Sequence, residues 1–143
     1  MTIVRLFEGL PHGFDVMCAE AGEEGIRNMA LLKAEVGSAD DPFVEPGALF
    51  MAQVGGALAG IGGVTVETGL SEPAMRMRRL YVRPAFRRAG VAGALAGAMM
   101  QQGFQTAPLL TLNAAASPAA PPFWEAMGFE RVDWPGVTHA LRL

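Results

Sequence analysis

Arginine and glycine follow one another in an order that suits the binding of a phosphate group. Six arginines lie between residues 76 and 88 of a 143-residue chain with a formal net charge of −3, and the segment Gly90–Gly93 follows them directly. A helix is predicted to begin at Gly90. The first N–H groups of a helix lack intrahelical acceptors and carry a partial positive charge, and small side chains let an anion approach them. The side chains of Arg87 and Arg88 can add forked, charged hydrogen bonds to phosphate oxygens.

Two other interpretations of this segment stay open on the residues alone. In the first, glycine and alanine only allow close helix packing, and the arginines lie on a solvated face. In the second, the arginines form a nucleic-acid-binding surface. The negative net charge and the lack of aromatic residues among the arginines argue against nucleic acid. A nucleotide-binding loop of the G-x-x-x-x-G-K-[ST] type is excluded, because the pattern is absent and Lys33 is the only lysine.

The elements around this segment predict an α/β chain with a mixed sheet. Gly37 is expected to end the first helix and Gly103 the second. The Gly55-Gly56 pair predicts a tight hairpin, and Pro84 ends the following strand. Strands are predicted at "TIVRLF", on both sides of Gly55-Gly56, and at "AMRMRRLYV", "LLTLNA", "ERVDW" and "THALRL"; helices at "AEAGEEGIRNMALLKAEVG", "AGVAGALAGAMMQQG" and "PPFWEAMGF".

Composition predicts one globular domain over residues 1–143, because about half of the residues are apolar and the length suits a single core. The uncharged stretches 46–66 and 89–124 are interrupted by glycine and proline, so no membrane span is expected. The first residues lack the pattern of a signal peptide, and Cys18 alone forms no disulfide framework. These features favour a cytoplasmic protein. No metal-ligand spacing is present, so no metal is expected.

The segment "LYVRPAFRRAGVAGAL" resembles the acetyl-CoA-binding motif of the GNAT N-acetyltransferase superfamily, whose core reads [QR]-x-x-G-x-[GA]. Here that core is Arg87-Arg88-Ala89-Gly90-Val91-Ala92, between a strand and a helix. "FWEAMGF" is similar to the family's "xYexxGF" ending, and "FMAQVGGALAGIGGV" resembles the hairpin before the motif strand. The resemblance covers nearly the whole chain and is weakest before residue 48.

The resemblance implies the acyl-CoA N-acyltransferase fold, a twisted mixed sheet of about seven strands with about four helices. The sheet would splay between the "MRRLYV" and "LLTLN" strands, and acetyl-CoA would lie in the splay as a co-substrate. Backbone N–H groups of the motif would hold its pyrophosphate, and the "LYV" strand would pair with its pantetheine arm. The implied cofactor-binding residues are Leu80, Tyr81, Val82, Arg87, Arg88, Ala89, Gly90, Val91, Ala92, Gly93, Asn113, Ser117 and Trp124.

The implied reaction is direct transfer of acetyl from the thioester to a primary amine of a small molecule or a protein. The family commonly places a tyrosine acid where this chain has Trp124, which has no hydroxyl. Tyr81 is a candidate acid, with a structural role as the alternative. Glu67 is a candidate base, with a solvated glutamate at a hairpin end as the alternative. Positions of the motif strand that are often acidic in the family are Arg76, Arg78 and Arg79 here. Because of these arginines and Trp124, a CoA-binding module with weak or no catalysis is the second functional hypothesis.

The resemblance places the acceptor side in the first helix, the "GSADDPFVEPG" loop and the final strands. Asp40, Asp41 and Glu45 could attract a cationic amine, unless they simply form a polar loop. His12 and His139 are expected to be surface or packing residues. The apolar ending "VTHALRL" suits a homodimer in which a sheet continues across the interface.

Overall fold

The computed structural model describes residues 1–143 as a seven-stranded sheet with helices on both faces. The strands are β1 (Thr2–Leu6), β2 (Ala48–Val54), β3 (Ala57–Val66), β4 (Met75–Val82), β5 (Leu109–Leu112), β6 (Glu130–Trp134) and β7 (Val137–Arg142). The helices are α1 (Phe14–Glu23), α2 (Asn28–Glu35), α3 (Val91–Thr106) and α4 (Ala120–Ala126). The strand order is β1-β2-β3-β4-β5-β7-β6. This confirms the mixed α/β fold predicted from the sequence.

Two hydrophobic cores lie on opposite faces of the sheet. Helix α3 packs with β2, β3 and β4 on one face, where Leu95 and Met99 are fully buried. Helices α1 and α2 bury Met17 and Leu32 against the other face. The β2–β3 hairpin turns at Gly55-Gly56 as predicted, with φ of 58° and 81° at these glycines. Strand β4, between the two cores, therefore presents alternate residues to each of them.

The predicted single helix over residues 19–37 is wrong, because α1 ends and α2 begins within it. Gly25 has a φ of 75° and donates to the Gly22 carbonyl, while the Ile26 N–H donates to the Ala21 carbonyl at 2.9 Å. This is the Schellman pattern, in which a glycine in the left-handed region ends a helix. The chain bends here, and the connector between α1 and α2 comes to lie beside β4.

The prediction that Gly103 ends the second predicted helix is also wrong, since this helix, α3 in the structure, continues to Thr106. Gly103 is fully helical and buried, and a Cβ at this position would lie 2.6 Å from a methyl carbon of Leu110. Glycine is required here because α3 lies so close to the sheet.

None of the four helices has the length and the apolar character that a membrane-spanning helix needs.

The C-terminal strand lies inside the sheet. Strand β7 pairs with β5 on one side and with β6 on the other, so both of its edges are occupied. A sheet continued across a dimer by "VTHALRL" is therefore wrong, because the free edges of the sheet belong to β1 and β6.

Candidate active site

Strands β4 and β5 separate along most of their length. They run parallel and pair only at Met75 with Leu110 and at Arg76 with Thr111. Beyond these residues β4 continues to Val82, but no strand pairs with it on the edge that faces β5. N–H groups on this edge of β4 are free to bond to a ligand, whereas the Leu80 and Val82 carbonyls accept hydrogen bonds from Asn28 and Arg87. We call this gap the opening.

A β-bulge re-aims the second half of β4. Arg78 faces Gly63 of β3 and Tyr81 faces Ile61, so that Arg79 and Leu80 together stand opposite one residue. Arg79 has a φ of 60°, in the left-handed region that a non-glycine residue rarely adopts. A bulge of this kind bends a strand and often lies beside an active site.

Helix α2 holds the bulge through two contacts. The Arg79 guanidinium donates to both carboxylate oxygens of Glu35, at 2.9 and 3.0 Å. The Asn28 amide donates to the Leu80 carbonyl at 3.3 Å. Both contacts join residues more than forty positions apart, so the tertiary packing of α2 rather than local sequence fixes the bulge.

A first cavity, the cofactor cavity, lies where β4 ends and α3 begins. It has a volume of about 640 Å³ and a mostly apolar lining, within the range of small-molecule sites. Ile26, Phe86 and Phe123 add apolar surface that the sequence did not predict. The lining includes these predicted cofactor residues: Leu80, Tyr81, Val82, Arg87, Arg88, Gly90, Val91, Ala92, Gly93, Ser117 and Trp124. Of the other two, Asn113 lines the neighbouring cavity, and Ala89 is an exposed loop residue outside both linings.

The N-terminus of α3 presents a row of unused hydrogen-bond donors to this cavity. None of the backbone N–H groups of residues 88–93 has an acceptor in the protein, and no side chain caps the helix. Arg88 and Gly90 have φ values of 64° and 78°, which turn the backbone sharply before the helix. A Cβ at Gly93 would meet no atom within 4 Å. Free N–H groups, the helix dipole and open space together form an anion-binding site.

The two motif arginines differ in what they contact. The guanidinium of Arg87 donates to both carboxylate oxygens of Glu24, at 2.7 and 2.8 Å, and its Nε donates to the Val82 carbonyl. The expectation that its side chain binds phosphate is therefore not supported, because those donors are already used. Arg88 is exposed and has no partner in the protein.

Tyr81 belongs to the same group of contacts. Its hydroxyl donates to Glu24, and the guanidinium of Arg87 lies 5.5 Å from the centre of its ring. Hydrogen bonds from Arg87 and Tyr81 lower the pKa of Glu24 to about 2. Burial and the adjacent Glu24 carboxylate raise the pKa of Tyr81 above its ordinary value. A phenol with a raised pKa donates its proton less readily, so this geometry favours the structural role over the acid.

Trp124 lies between the cofactor cavity and a second, neighbouring cavity. Gly128, with a φ of 105°, ends α4 in a second Schellman pattern, in which the Phe129 N–H donates to the Trp124 carbonyl. That turn brings the Phe129 ring edge-on to the indole, with the centroids 5.3 Å apart, and Phe123 packs on it at 5.1 Å. The indole is nearly buried and lines both cavities.

A second cavity, the acceptor cavity, lies on the α2 side of the opening. It has a volume of about 270 Å³, and it shares six lining residues with the cofactor cavity: Ile26, Leu80, Tyr81, Ser117, Ala120 and Trp124. The rest of its lining includes three arginines of β4, two before the bulge and one in it, together with two asparagines. These residues are Arg76, Arg78, Arg79, Asn28 and Asn113.

Glu67 lies outside both linings. Its side chain is 7% exposed and accepts hydrogen bonds from Arg76, from the Thr111 hydroxyl and from the Gly69 N–H, at 2.8–3.0 Å. Burial would raise the pKa of Glu67, but these hydrogen bonds outweigh burial and hold the pKa below its ordinary range. The alternative of a solvated glutamate is wrong, and a carboxylate so engaged is a poor base.

The comparisons with known proteins agree with this geometry. Residues 17–143 match the sequence profile described as "Acetyltransferase (GNAT) domain". The chain belongs to the GNAT acetyltransferase family. None of the curated proteins compared matches the sequence.

Solved structures of other proteins show the same fold. A putative acetyltransferase from Exiguobacterium sp. 255-15 superposes with a TM-score of 0.87 at 25% identity, over 99% of this chain and 92% of that one. A GNAT family acetyltransferase from Elizabethkingia anophelis with acetyl-CoA bound gives 0.67 at 13% identity, over 99% and 97%. Rv2747 from Mycobacterium tuberculosis, in complex with CoA and NLQ, gives 0.62 at 14% identity, over 93% and 74%.

Sequence reasoning missed the acidic partners in this GNAT domain. Glu24 pairs with Arg87 before α3 and Glu35 pairs with Arg79 in the bulge, yet the positions of the two glutamates in the sequence give no sign of partners 63 and 44 residues away. Within the predicted acceptor loop, Asp41 instead accepts backbone hydrogen bonds from Gly37 and Phe43 and shapes a turn. Asp41 and Glu45 border a different cavity near β1, and Asp40 lines neither cavity at the opening, so this loop is not supported as an acceptor site.

The two histidines lie away from the opening. His139 is fully buried, with Nε2 at 2.7 Å from Glu125 and Nδ1 at 2.8 Å from the Thr138 hydroxyl. That contact with His139 is the main reason why the pKa of Glu125 lies below its ordinary value. His12 is exposed and borders a cavity on the β1–β2 side. No cluster of three or more His, Cys, Asp or Glu side chains able to hold a metal occurs in the structure.

Proposed function

We propose that this GNAT domain transfers the acetyl group of acetyl-CoA to a primary amine of a small molecule or a protein, by direct attack in a ternary complex. The observation that carries the proposal is the row of unpaired N–H groups at residues 88–93. It opens on an apolar cavity that is continuous with the free edge of β4. One end of this site suits a pyrophosphate, and the other suits a long, uncharged amide-containing arm.

The residues fit acetyl-CoA at three places. The N–H groups of residues 88–93 and the Arg88 guanidinium would hold the phosphates. Successive peptide groups of a strand point to opposite sides. The Arg83 N–H donates to Ala59 of β3, so the Val82 N–H faces the opening. Val82 and Leu80 would then pair with the arm and polarise the thioester carbonyl. Acetyl-CoA itself supplies the activated acyl group.

The chain offers no free carboxylate base at the opening. Neither cavity is lined by an aspartate or a glutamate. A lysine-like amine with a pKa near 10.4 is neutral only about once in a few thousand molecules at pH 7. We therefore propose that the amine loses its proton to solvent water, so kcat/KM rises with pH up to the pKa of the acceptor amine. A thiol pKa of about 8.5 lets the thiolate leave without an acid, in keeping with Trp124 in place of a tyrosine.

A matched pair of glycine variants tests the cofactor site. Gly93→Glu puts a carboxylate among the free N–H groups, and Gly97→Glu makes the same change one turn further along α3. Neither added Cβ meets an atom within 4 Å, so both variants should fold. By calorimetry, Gly93→Glu should weaken acetyl-CoA binding at least about tenfold, and Gly97→Glu less than about threefold. Equal affinities for Gly93→Glu and the wild type would refute the assigned site.

The second candidate function is a CoA-binding module with weak or no catalysis. It is favoured by Trp124, which has no transferable proton, and by the lack of a free carboxylate in either cavity. Thiol release from acetyl-CoA, measured over a panel of amines, separates the two. Release above the hydrolysis background with any amine supports the transferase, and binding without such release supports the module.

A further inference from the structure

Arg78 stands in the acceptor cavity without a partner. It is half-buried on β4, directly before the bulge, and it lines the acceptor cavity but not the cofactor cavity. It makes no hydrogen bond and no ion pair in the protein, whereas the arginines on either side of it do. The structure therefore leaves one guanidinium of this cavity with five N–H donors unused.

The charges around Arg78 do not balance. Arg76 is paired with Glu67 at 3.0 Å, and Arg79 is paired with Glu35 at 2.9 Å. The fourteen residues of the cavity lining include no aspartate or glutamate. Three guanidinium groups thus meet two carboxylates, and one positive charge remains beside the opening.

That charge cannot be removed by losing a proton. Burial, and then the neighbouring Arg79, lower the pKa of Arg78. A guanidinium nevertheless stays protonated in proteins. The half-buried guanidinium is partly desolvated, so an anionic group that enters the cavity meets a charge that water screens less than it screens one on the open surface. A planar guanidinium also matches the two oxygens of a carboxylate or phosphate in a forked geometry.

We propose that the acceptor is a small amine that also carries a carboxylate or a phosphate group, and that Arg78 binds this anionic group. The inference rests on the proposed acetyl transfer and names its substrate class. It also reverses the expectation from the sequence, because the cavity beside the thioester position repels a polycationic acceptor. Arg78 holds a part of the acceptor away from the reacting atoms, so it sets KM more than kcat.

Matched acceptors test the substrate class. β-Alanine is compared with β-alaninamide, and phosphoethanolamine with ethanolamine, within a wider panel of amino acids and their amides. Thiol release should favour the anionic member of each pair by about 10-fold or more in kcat/KM. The two pairs show whether carboxylate or phosphate is preferred. Equal rates within every pair, or a diamine as the best acceptor, would overturn the proposal.

Variants of Arg78 test the residue. Arg78→Gln should raise KM for the anionic acceptors about 10- to 100-fold and leave KM for their neutral partners unchanged. Arg78→Lys should restore part of the loss, because it keeps the charge but not the fork. Arg142→Gln, a charge removal on an exposed arginine paired with Glu72, is the control and should change neither KM. An unchanged KM in Arg78→Gln would contradict the assignment.

A readout without turnover separates this inference from the transferase proposal. The Arg78 Nε–H resonance is followed by NMR in the CoA-saturated protein while β-alanine or phosphoethanolamine is added, with their neutral partners as controls. A saturable shift with the anionic compounds alone supports the anion site even if no acetyl transfer occurs. No shift with either compound overturns it. A tenfold loss of acetyl-CoA affinity in Arg78→Gln would also overturn it, because the charge would then serve the cofactor.

Discussion

The cofactor cavity and the acceptor cavity each contain one arginine without a partner, in very different surroundings. Arg88 is exposed at the turn before α3, whereas Arg78 is half-buried beside the bulge. Water and salt screen an exposed charge, and an exposed pair contributes little free energy. A buried charge depends on its partner. If the proposed function holds, we expect backbone N–H groups to do most of the binding on the cofactor side and a charged side chain to select the ligand on the acceptor side.

The arginine–glutamate ion pairs of the two sides also differ in burial, and again the acceptor side is the more buried. The acceptor-side pair Arg76–Glu67 has side-chain exposures of 22% and 7%, against 41% and 30% for Arg87–Glu24 on the cofactor side. Breaking the more buried pair should therefore cost more stability, which allows a graded set of tests.

The largest effect is expected for Glu67→Gln. The change leaves the Arg76 guanidinium without its carboxylate, and it should lower the free energy of unfolding by about 2–3 kcal/mol at pH 7 in urea titrations. The pKa of Glu67 is lowered in the folded state, so its contribution is present above the ordinary pKa and is lost as pH falls through the folded value. The wild type and the variant should thus converge in acid. Glu72→Gln, which breaks an exposed pair with Arg142, is the control and should not differ measurably from the wild type.

The bulge provides the second test. Arg79→Ala and Arg79→Gly both remove the ion pair with Glu35, and each should lower the free energy of unfolding by roughly 1–2 kcal/mol. Glycine adopts the observed φ of 60° without strain. Arg79→Gly should therefore be the more stable of the two by about 0.5–1 kcal/mol, the reverse of the usual order within a strand. Greater stability of the alanine variant would contradict the bulge conformation.

A smaller effect is expected for Glu24→Gln on the cofactor side. Partial exposure screens this pair, so the loss should be about 1 kcal/mol at pH 7. The pKa of Glu24 is about 2 against an ordinary value of 4.5, so the difference from the wild type should disappear as pH falls from about 4.5 to 2. Glu23→Gln, on an exposed neighbour that makes no ion pair, serves as the control. A difference that persists at pH 2 would argue against the Arg87 contact.

The smallest effect is expected for Arg88→Gln. Acetyl-CoA affinity should fall less than about threefold at 0.15 M salt and somewhat more at low salt, because this side chain is exposed. Calorimetry at two ionic strengths measures both values. Loss of acetyl-CoA binding at 0.15 M salt would contradict this expectation, since the Arg88 side chain would then contribute more to the affinity than the backbone N–H groups.

Local chemistry made the fold and the N–H row predictable. The positive-φ glycines at the hairpin, at Gly90 and at Gly128 are visible in the sequence, and so is the alternation of β4. The opening followed from the resemblance, and strand pairing confirms it. Charge partners were not predictable. Arg87 was expected to bind phosphate, and only the tertiary structure shows that its guanidinium is paired with Glu24.

The helix break and the position of β7 were missed for different reasons. Gly25 lies in a segment whose apolar spacing continues through it, so periodicity alone predicted one helix. An apolar final strand reads the same whether it lies at an edge or inside a sheet. Its place between β5 and β6 depends on long-range pairing that the strand itself does not encode.

The unpaired N–H groups of residues 88–93 also define how this molecule should behave in deuterium exchange. Amides without acceptors exchange without any opening of the structure, whereas the amides that are hydrogen-bonded between β3 and β4 wait for larger unfolding events. Unprotected and protected amides therefore lie within about ten residues of each other along the chain. A bound pyrophosphate would slow exchange at the first set and leave the second unchanged, so this short segment can report occupancy residue by residue.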